Sequence, residues 1–328
     1  MAEYKGIKGF KVQYLSADPS NPIVGQIWYN DTSKALKYTE VAAGSWATGG
    51  SLSTASFGRA GMGTQTAAVA AGVYGPSPSV TGETEEYNGT SWSSGGTLGT
   101  ARYGAGGSGT LTAGLCVGGD SISGSPRYGT QVEEYNGTSW TGGGAAPTGK
   151  QYSATFGTQT ATLSTGSPVS SPTTITILYD GSTWTTSPAS LSLATGSRAG
   201  FGVQTSGVTA GGQAGTTYYA TTEDWNGSVW TSGGNLNTAR RAHAGSGTSE
   251  SSGIAFGGEI ATGKTAVTEE YNGTSWTNST SMATARSKLA GAGTESLALG
   301  FGGEVPSAST ATEEWTGPGP ATKTITVS

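Results

Sequence analysis

The stretch Glu85-Glu86-Tyr87-Asn88-Gly89-Thr90-Ser91-Trp92 decides the fold of this 328-residue chain, because close copies of it recur along the sequence. Asn-Gly between two strand-forming runs is typical of a hairpin, since a type I′ turn needs a positive φ at both central residues. The other copies lie at 133–140, 178–184, 223–230 and 269–276, with partial copies ending at 46 and 315. The Trp residues that end them follow at intervals of 44 to 48 residues: Trp46, Trp92, Trp140, Trp184, Trp230 and Trp276. This period indicates a repeat architecture.

Each repeat reads as four short strands. After the Trp comes a Gly-rich link and a first strand of small residues, such as 100–106, followed by an apolar run that ends in Gly-Gly, as in 115–119. A variable loop then leads to the Glu-Glu-Tyr strand, and the next Trp opens the fourth strand. Four strands of five or six residues with their turns fill one period.

The distribution of side-chain size favours a closed β-propeller over an open solenoid. Gly, Ala and Ser dominate the first strand, as expected where several sheets converge on an axis, whereas Tyr and Trp lie on the outer strands. A closed ring also leaves no exposed sheet edges. The six units between residues 52 and 316 predict six blades. The alternative is seven blades, with a composite N- and C-terminal blade that uses 27–29 and 36–38.

An apolar run, Gly-Gly, Tyr, Trp and a downstream Arg together resemble the kelch signature, which is shared with the galactose-oxidase-like propellers. The resemblance covers residues 46–316 and implies an all-β, kelch-type β-propeller. Arg102, Arg240 and Arg286 fill the arginine position, where the other units have Ser56, Lys150 and Thr195. We expect the repeated Trp and Arg residues to be structural, and Glu134 or Glu86 to pair with Arg102.

The N-terminal segment, residues 1–45, differs from the repeats. The sequence predicts an N-terminal arm at 1–23 and a propeller at 24–328, closed by N- and C-terminal strands. Residues 24–38 resemble a hairpin common in structural proteins of tailed bacteriophages, and 5–13 resemble the start of kelch-like virion proteins of marine phages. The resemblance implies a virion protein that is assembled in the host cytoplasm and bound to other virion proteins through the arm. It agrees with the absence of a visible secretory signal, and a homo-oligomer is compatible with it.

Composition narrows the possible partners. The net charge is −5, only 11% of residues are charged, and lysine and arginine form no cluster. We therefore expect no nucleic-acid binding, because phosphate neutralisation needs concentrated positive charge. No stretch approaches the ~18–20 apolar residues of a membrane helix, so we expect no membrane insertion. The single cysteine, Cys116, lies in an apolar run and is expected to be a small buried hydrophobe.

The residue types argue against catalysis. His243 is the one histidine, and it can supply neither a galactose-oxidase-like copper site nor a His-based triad. Glycoside hydrolysis needs two positioned carboxylates. The Glu-Glu pairs recur in register with the fold, and adjacent strand residues point to opposite faces, so their use is expected to be structural. Residues 179–184 resemble the Asp-box hairpin of sialidases, which is itself structural. We expect no catalytic residue, metal or cofactor.

Three functions remain in competition. The first is a non-enzymatic bacteriophage virion protein, as a tail fibre, capsid fibre or decoration, that binds a host-surface glycan or protein. The alternatives are a cellular kelch-repeat module for protein interaction and, less favoured, a propeller enzyme that acts on glycans. Binding residues are expected in the variable loops after Gly-Gly. The candidates are Arg127, Tyr128, Tyr218, Tyr219 and Lys264, with Ser79 and Asp120 in the same loops.

Overall fold

The computed structural model describes residues 12–76, 79–121, 129–166 and 172–326, and the secondary structure within these ranges consists of strands. The prediction of an all-β fold is confirmed. Contacts divide the chain into two compact units: a larger unit, Ser45–Thr316, and a smaller unit that joins the residues up to Gly44 with those from Gly317 onward.

The larger unit contains six four-stranded antiparallel sheets, which is a propeller-like arrangement. Sheet 1 has strands Ala60–Thr64, Ala67–Tyr74, Val80–Tyr87 and Trp92–Ser94. Sheet 2 has Gly106–Thr110, Ala113–Val117, Val132–Tyr135 and Trp140–Gly142, and sheet 3 has Ala154–Thr158, Ala161–Thr165, Thr176–Tyr179 and Trp184–Thr186. Sheet 4 has Ala199–Val203, Ser206–Ala210, Thr222–Trp225 and Trp230–Ser232. Sheet 5 has Ala244–Ser249, Ser252–Phe256, Thr268–Tyr271 and Trp276–Ser279, and sheet 6 has Ala290–Gly293, Leu297–Phe301, Thr312–Thr316 and Ser45–Thr48.

The two ends of the larger unit meet in sheet 6. Its fourth strand, Ser45–Thr48, comes from the start of the unit and pairs antiparallel with Thr312–Thr316 from its end. Trp46 lies opposite Trp315 in this register, and their ring centroids are 5.4 Å apart. The sheet therefore joins residues that are far apart in sequence.

The repeated Trp residues link each sheet to the one before it. Every indole N–H donates a hydrogen bond of 2.9–3.0 Å to the preceding sheet, and in sheet 1 that neighbour is sheet 6. The acceptor is a threonine hydroxyl of the third strand in five cases. For Trp184 of sheet 3 the acceptor is the carbonyl of Gly144, since valine replaces the threonine in the preceding sheet. The pairs are Trp46–Thr268, Trp92–Thr312, Trp140–Thr84, Trp184–Gly144, Trp230–Thr176 and Trp276–Thr222.

The Asn-Gly hairpins form, but not as type I′ turns. In sheet 1, Tyr87 pairs with Trp92 across a four-residue loop, and Gly89 takes a positive φ while Asn88 does not. The Asn88 side chain instead accepts hydrogen bonds of 2.9 Å from the backbone N–H groups of Thr90 and Ser91. The turn chemistry is thus that of an Asx turn, in which the asparagine side chain replaces a backbone acceptor.

Six residues that precede the first strands form a closed circle of backbone hydrogen bonds, the axial ring. Each N–H donates to the carbonyl of the preceding member at 2.6–3.1 Å, and the N–H of Gly58 donates to the carbonyl of Lys288. All six have a left-handed φ between 49° and 68°. The members are Gly58, Gly104, Tyr152, Ser197, Ala242 and Lys288. The conformation costs about 1–2 kcal/mol at each non-glycine member, so the surrounding sheets must impose it.

Buried Arg–Glu ion pairs lie in five of the six sheets. Arg102–Glu133, Arg240–Glu269 and Arg286–Glu313 use the repeated arginine position, with N···O distances of 2.8–3.1 Å. In sheets 1 and 4 the guanidinium comes from a residue three positions later, in the pairs Arg59–Glu85 and Arg198–Glu223. Ser56 and Thr195 then occupy the usual position, and Ser56 Oγ accepts a 2.5 Å hydrogen bond from Arg59 Nε.

The prediction that Glu134 or Glu86 pairs with Arg102 is wrong. Alternate strand residues face opposite sides of a sheet, and it is Glu133 that faces Arg102. The second carboxylate of each pair faces the next sheet: Glu134 accepts a 2.6 Å hydrogen bond from Tyr179, and Glu86 accepts one from Tyr135. The two adjacent glutamates therefore have different structural partners.

Sheet 3 lacks the ion pair. Lys150 stands at the arginine position, Ile177 stands at the glutamate position, and both side chains are buried. Lys150 Nζ donates to the carbonyls of Gly166 and Ile175 at 2.9 and 3.3 Å. Desolvation lowers the pKa of Lys150 to about 8.

The smaller unit is a four-stranded mixed sheet. Its strands are Gln13–Leu15, Ile27–Asn30, Ala35–Ala42 and Gly319–Thr324, with the first two parallel and the others antiparallel. The hairpin predicted at 27–29 and 36–38 thus pairs with the C-terminal strand. The contact boundary at Gly44 differs from the sequence division after residue 23, because residues 24–44 pair within this sheet. Residues 1–11 of the predicted arm lie outside the described residues.

We expect opposite effects from two substitutions in the axial ring. Gly104→Ala should lower the free energy of unfolding by about 1–3 kcal/mol, because a Cβ there would lie 3.0 Å from Gln151 and 3.1 Å from the Tyr152 ring at a left-handed φ. Ala242→Gly should raise it by about 0.5–1 kcal/mol, since glycine removes the left-handed strain. Urea unfolding measures both changes in the free energy of unfolding. Changes of the same sign would contradict the left-handed conformation of the axial ring.

Lys150→Met should change the pH dependence of stability. Folded Lys150 loses its proton near pH 8 and the unfolded chain near 10.5, so the unfolded state binds more protons between these values. The free energy of unfolding of the wild type should therefore rise by up to roughly 3 kcal/mol relative to Lys150→Met from pH 8 to 10.5. Urea unfolding across this range measures it. Lys323→Met, at a half-exposed lysine, is the control, and parallel curves for wild type and Lys150→Met would refute the burial argument.

Candidate ligand-binding face

The loops between second and third strands leave the sheets at the end of the larger unit where the axial ring lies, and we name this end the loop face. In sheets 4 to 6 these loops contain two-stranded hairpins after the Gly-Gly pair: Gln213–Ala214 with Thr217–Tyr218, Glu259–Ile260 with Gly263–Lys264, and Glu304–Val305 with Ser307–Ala308. Both glycines of each pair have positive φ, which side-chain-bearing residues adopt only with strain. The resulting sharp turn fixes the position at which the hairpin begins.

Five charged side chains meet on this face and form what we name the charged cleft: Arg241, Glu259, Lys264, Lys288 and Glu304, around a cavity of about 520 Å³. Arg241 pairs with Glu259 at 3.0 Å. Lys288 and Lys264 pair with Glu304 at 2.9 and 3.4 Å. Each of these side chains is 24–28% exposed, so a ligand in solvent can reach them.

The three cations of the charged cleft are set apart from the other basic residues of the larger unit. Every other lysine or arginine that the structure describes between residues 45 and 316 is buried in its sheet: Arg59, Arg102, Lys150, Arg198 and Arg240, with Arg286. Arg127 lies outside the described residues. The solvent-accessible positive charge described in this unit is therefore concentrated in one cleft.

The carboxylate of Glu304 stays ionised at neutral pH. Partial burial opposes ionisation, but hydrogen bonds and charge attraction from Lys288 and Lys264 outweigh it and lower the pKa of Glu304. An ionised carboxylate only accepts hydrogen bonds. Glu304 thus holds the two ammonium groups close together, where a competing acidic group can reach both.

An aromatic arc of Phe57, Tyr74, Tyr103 and Tyr152 adjoins the charged cleft. The ring centroids of Phe57 and Tyr74 are 4.7 Å apart, those of Tyr74 and Tyr103 are 4.8 Å apart, and Tyr103 and Tyr152 follow at 6.3 Å. Lys288 Nζ lies 4.6 Å from the Phe57 centroid and so joins the arc to the cleft. Burial raises the pKa of Tyr152, and its hydroxyl remains protonated at neutral pH.

Tyr218 and Lys264, both candidates from the sequence, lie at this site. Tyr218 donates a 3.1 Å hydrogen bond to Glu259, and the Arg241 guanidinium lies 5.4 Å from the centroid of its ring. Lys264 lines the charged cleft itself.

Three other candidates from the loops, Tyr219, Asp120 and Ser79, do not line the charged cleft. Tyr219 contributes backbone hydrogen bonds with Gly212 and Arg240. Asp120 is buried and accepts a 3.3 Å bond from Tyr103, while Ser79 is exposed. Arg127 and Tyr128 lie outside the described residues.

Sequence reasoning missed most of the site. Glu259 and Glu304 each directly follow a Gly-Gly pair. Lys288 is a member of the axial ring, and Arg241 directly precedes the ring member Ala242. The signal that could have found them is therefore their register within the repeat. Variation between loops, which the sequence argument used instead, does not point to residues beside the axis.

Two comparisons with known proteins give no match. Neither models of protein families nor curated protein sequences match this chain. In the described ranges no three His, Cys, Asp or Glu side chains group so that they could hold a metal ion. No helix long and apolar enough to cross a membrane occurs in the part of the chain that the structure describes.

Proposed function

We propose that the larger unit is a six-bladed, kelch-type β-propeller that binds a partner carrying acidic groups on its loop face. The cyclic sequence of Trp hydrogen bonds through six sheets supports the blade number. The repeated order of apolar run, Gly-Gly, Tyr, Trp and Arg supports the kelch type. The buried Arg–Glu pairs give the repeated charged residues a structural use.

The observation that carries the binding proposal is the convergence of Arg241, Lys264 and Lys288 in the charged cleft. These cations are partly exposed, so a ligand carboxylate can exchange with Glu259 or Glu304 as their partner. A cavity of about 520 Å³ lies in the size range of small-ligand sites. The neighbouring aromatic arc offers ring faces against which a sugar or an aromatic side chain packs.

We propose a bacteriophage virion as the setting, with this chain as a tail fibre, capsid fibre or decoration that contacts a host-surface glycan or protein. The resemblance of the N-terminal segment to phage structural proteins supports it, with assembly in the host cytoplasm and attachment to other virion proteins through the arm. The smaller unit also exposes apolar side chains suited to a partner, including Tyr14, Ile23 and Val41. A cellular kelch module is the alternative, and detection of the chain in purified particles distinguishes the two.

The cleft chemistry favours binding over catalysis. Glycoside hydrolysis needs one carboxyl group that is protonated at the working pH, which requires a raised pKa. Lysine contacts lower the pKa of Glu304 instead, and Glu259 is paired with Arg241. We therefore propose that both glutamates position cations and that the protein is not an enzyme.

The test is binding of the labelled protein to a panel of acidic and neutral glycans and acidic peptides. Wild type should bind at least one acidic member, and the double variant Lys264→Met/Lys288→Met should bind it at least about tenfold more weakly, since each charge-assisted contact is worth about 1.5–3 kcal/mol. Lys323→Met in the smaller unit is the matched control and should bind like wild type.

Two outcomes of the same panel would contradict the proposal. One is binding of acidic members that the double variant retains in full, which would move the site away from the charged cleft. The other is release of a cleaved product from any glycan by the wild type, which would make the protein an enzyme.

A further inference from the structure

A second cavity, of about 110 Å³, lies at the axial ring and is separate from the charged cleft except for Lys288. It is lined by the ring members and by the residue that follows each of them. These following residues are Arg59, Ala105, Ser153, Arg198, His243 and Leu289. We name it the axial cavity.

Two side chains in the lining carry buried nitrogen atoms that have no hydrogen-bond partner among the described residues. Neither ring nitrogen of His243 has a partner among the described residues, although the residue is only 5% exposed. The Nε of Arg198, also 5% exposed, is likewise without a partner in the described ranges. The Nε atoms of Arg102, Arg240 and Arg286, which do not line the cavity, are also without a partner in the part of the chain that the structure describes, so the imidazole is the distinctive group of this lining. Buried polar groups are almost always hydrogen-bonded, so the imidazole indicates a site for a ligand.

The two side chains flank the same backbone segment. A Cβ on Gly211 would lie 2.5 Å from Cε1 of His243, and a Cβ on Gly212 would lie 2.7 Å from Cγ of Arg198. The glycine pair therefore leaves room for both side chains on adjacent sheets.

The charge of the lining favours an anion. Arg59, Arg198 and Lys288 line the axial cavity, and no carboxylate side chain is among its described lining residues. The partners of the two arginines, Glu85 and Glu223, belong to the third strands of their sheets and do not line the cavity. Burial, Arg240 and Arg198 lower the pKa of His243, so its imidazole is neutral and offers one N–H donor.

We propose that the axial cavity binds a small anion, a halide or a single carboxylate group, between the N–H of His243 and the Nε–H of Arg198. The volume of about 110 Å³ limits the ligand to a few non-hydrogen atoms, which separates this site from the larger charged cleft. The anion satisfies both donors and screens the arginines from each other. It also ties sheet 4 to sheet 5 beside the axial ring.

The repeat itself provides the test variant. Sheet 6 carries Leu289 in the register of His243, so leucine fits this position of the fold. His243→Leu removes the imidazole donor and keeps a buried side chain of similar size. Lys323→Met, at a half-exposed lysine of the smaller unit, is the control outside both the axial cavity and the charged cleft.

Crystals soaked in sodium bromide provide the direct measurement by anomalous diffraction. A bromide peak within hydrogen-bond reach of His243 and Arg198 is expected in wild type and in Lys323→Met, and none is expected in His243→Leu. Absence of the peak in wild-type crystals would overturn the proposal, since water alone would then satisfy the donors.

Thermal unfolding gives an independent readout. At equal ionic strength, bromide or formate should raise the Tm of wild type by a few degrees relative to gluconate, which is too large for the cavity. A response to bromide alone identifies a halide site, and a response to formate identifies a carboxylate site. The difference should vanish in His243→Leu and persist in Lys323→Met. An equal difference in wild type and His243→Leu would reject the site.

Discussion

The closed circle of six backbone hydrogen bonds at the axis is the constraint on which the larger unit depends. Each bond joins one sheet to the next, and the bond from Gly58 to Lys288 joins the first sheet to the last. The circle requires six left-handed residues, of which four carry side chains. Such strain persists only where the surrounding structure determines it, and here six sheets do so together. Removing one sheet would therefore leave strained residues without the bonds that offset their strain.

Polar contacts hold the sheets in place around that circle. Within a sheet, a buried guanidinium ties the link before the first strand to the glutamate of the third strand. Between sheets, the second carboxylate accepts a hydrogen bond from a tyrosine of the next sheet, as in Glu314–Tyr87 and Asp224–Tyr271. Where Trp225 replaces that tyrosine, the facing residue is Leu178, and the contact is apolar. Partners change together because an unpaired buried charge is costly.

This use of charge bears directly on function. The chain has few charged residues, and most basic residues of the larger unit are buried inside the sheets. The three described cations that remain partly exposed, Arg241, Lys264 and Lys288, are gathered by hairpins and links of adjacent sheets. A cleft of this kind forms only after the sheets are arranged about an axis. Its residues are close in space because they belong to the neighbouring sheets 5 and 6 and to the links before them.

The repeated signals in the sequence predicted the all-β fold and the strand order, because Trp spacing and Gly-Gly pairs are local features. They did not predict Arg59 and Arg198, which reach the same glutamates from a position three residues later. In sheets 1 and 4 the arginine lies three positions later in the chain, but the direction of its side chain compensates for the shift. A sequence pattern does not show that direction. The turn type failed for a related reason, since the Asn88 side chain bonds its own loop. Of the binding residues, only Tyr218 and Lys264 were found, since the cleft combines several repeats.

Amide hydrogen exchange at the axial ring, measured by NMR, tests the central claim most directly. Ring closure predicts that the amide of Gly58, whose acceptor Lys288 is 230 positions away, exchanges as slowly as the amide of Tyr152, whose acceptor lies in the adjacent repeat. An open array of sheets would leave Gly58 without its acceptor. Exchange of the Gly58 amide at the rate of an unprotected residue, with Tyr152 still protected, would contradict the account.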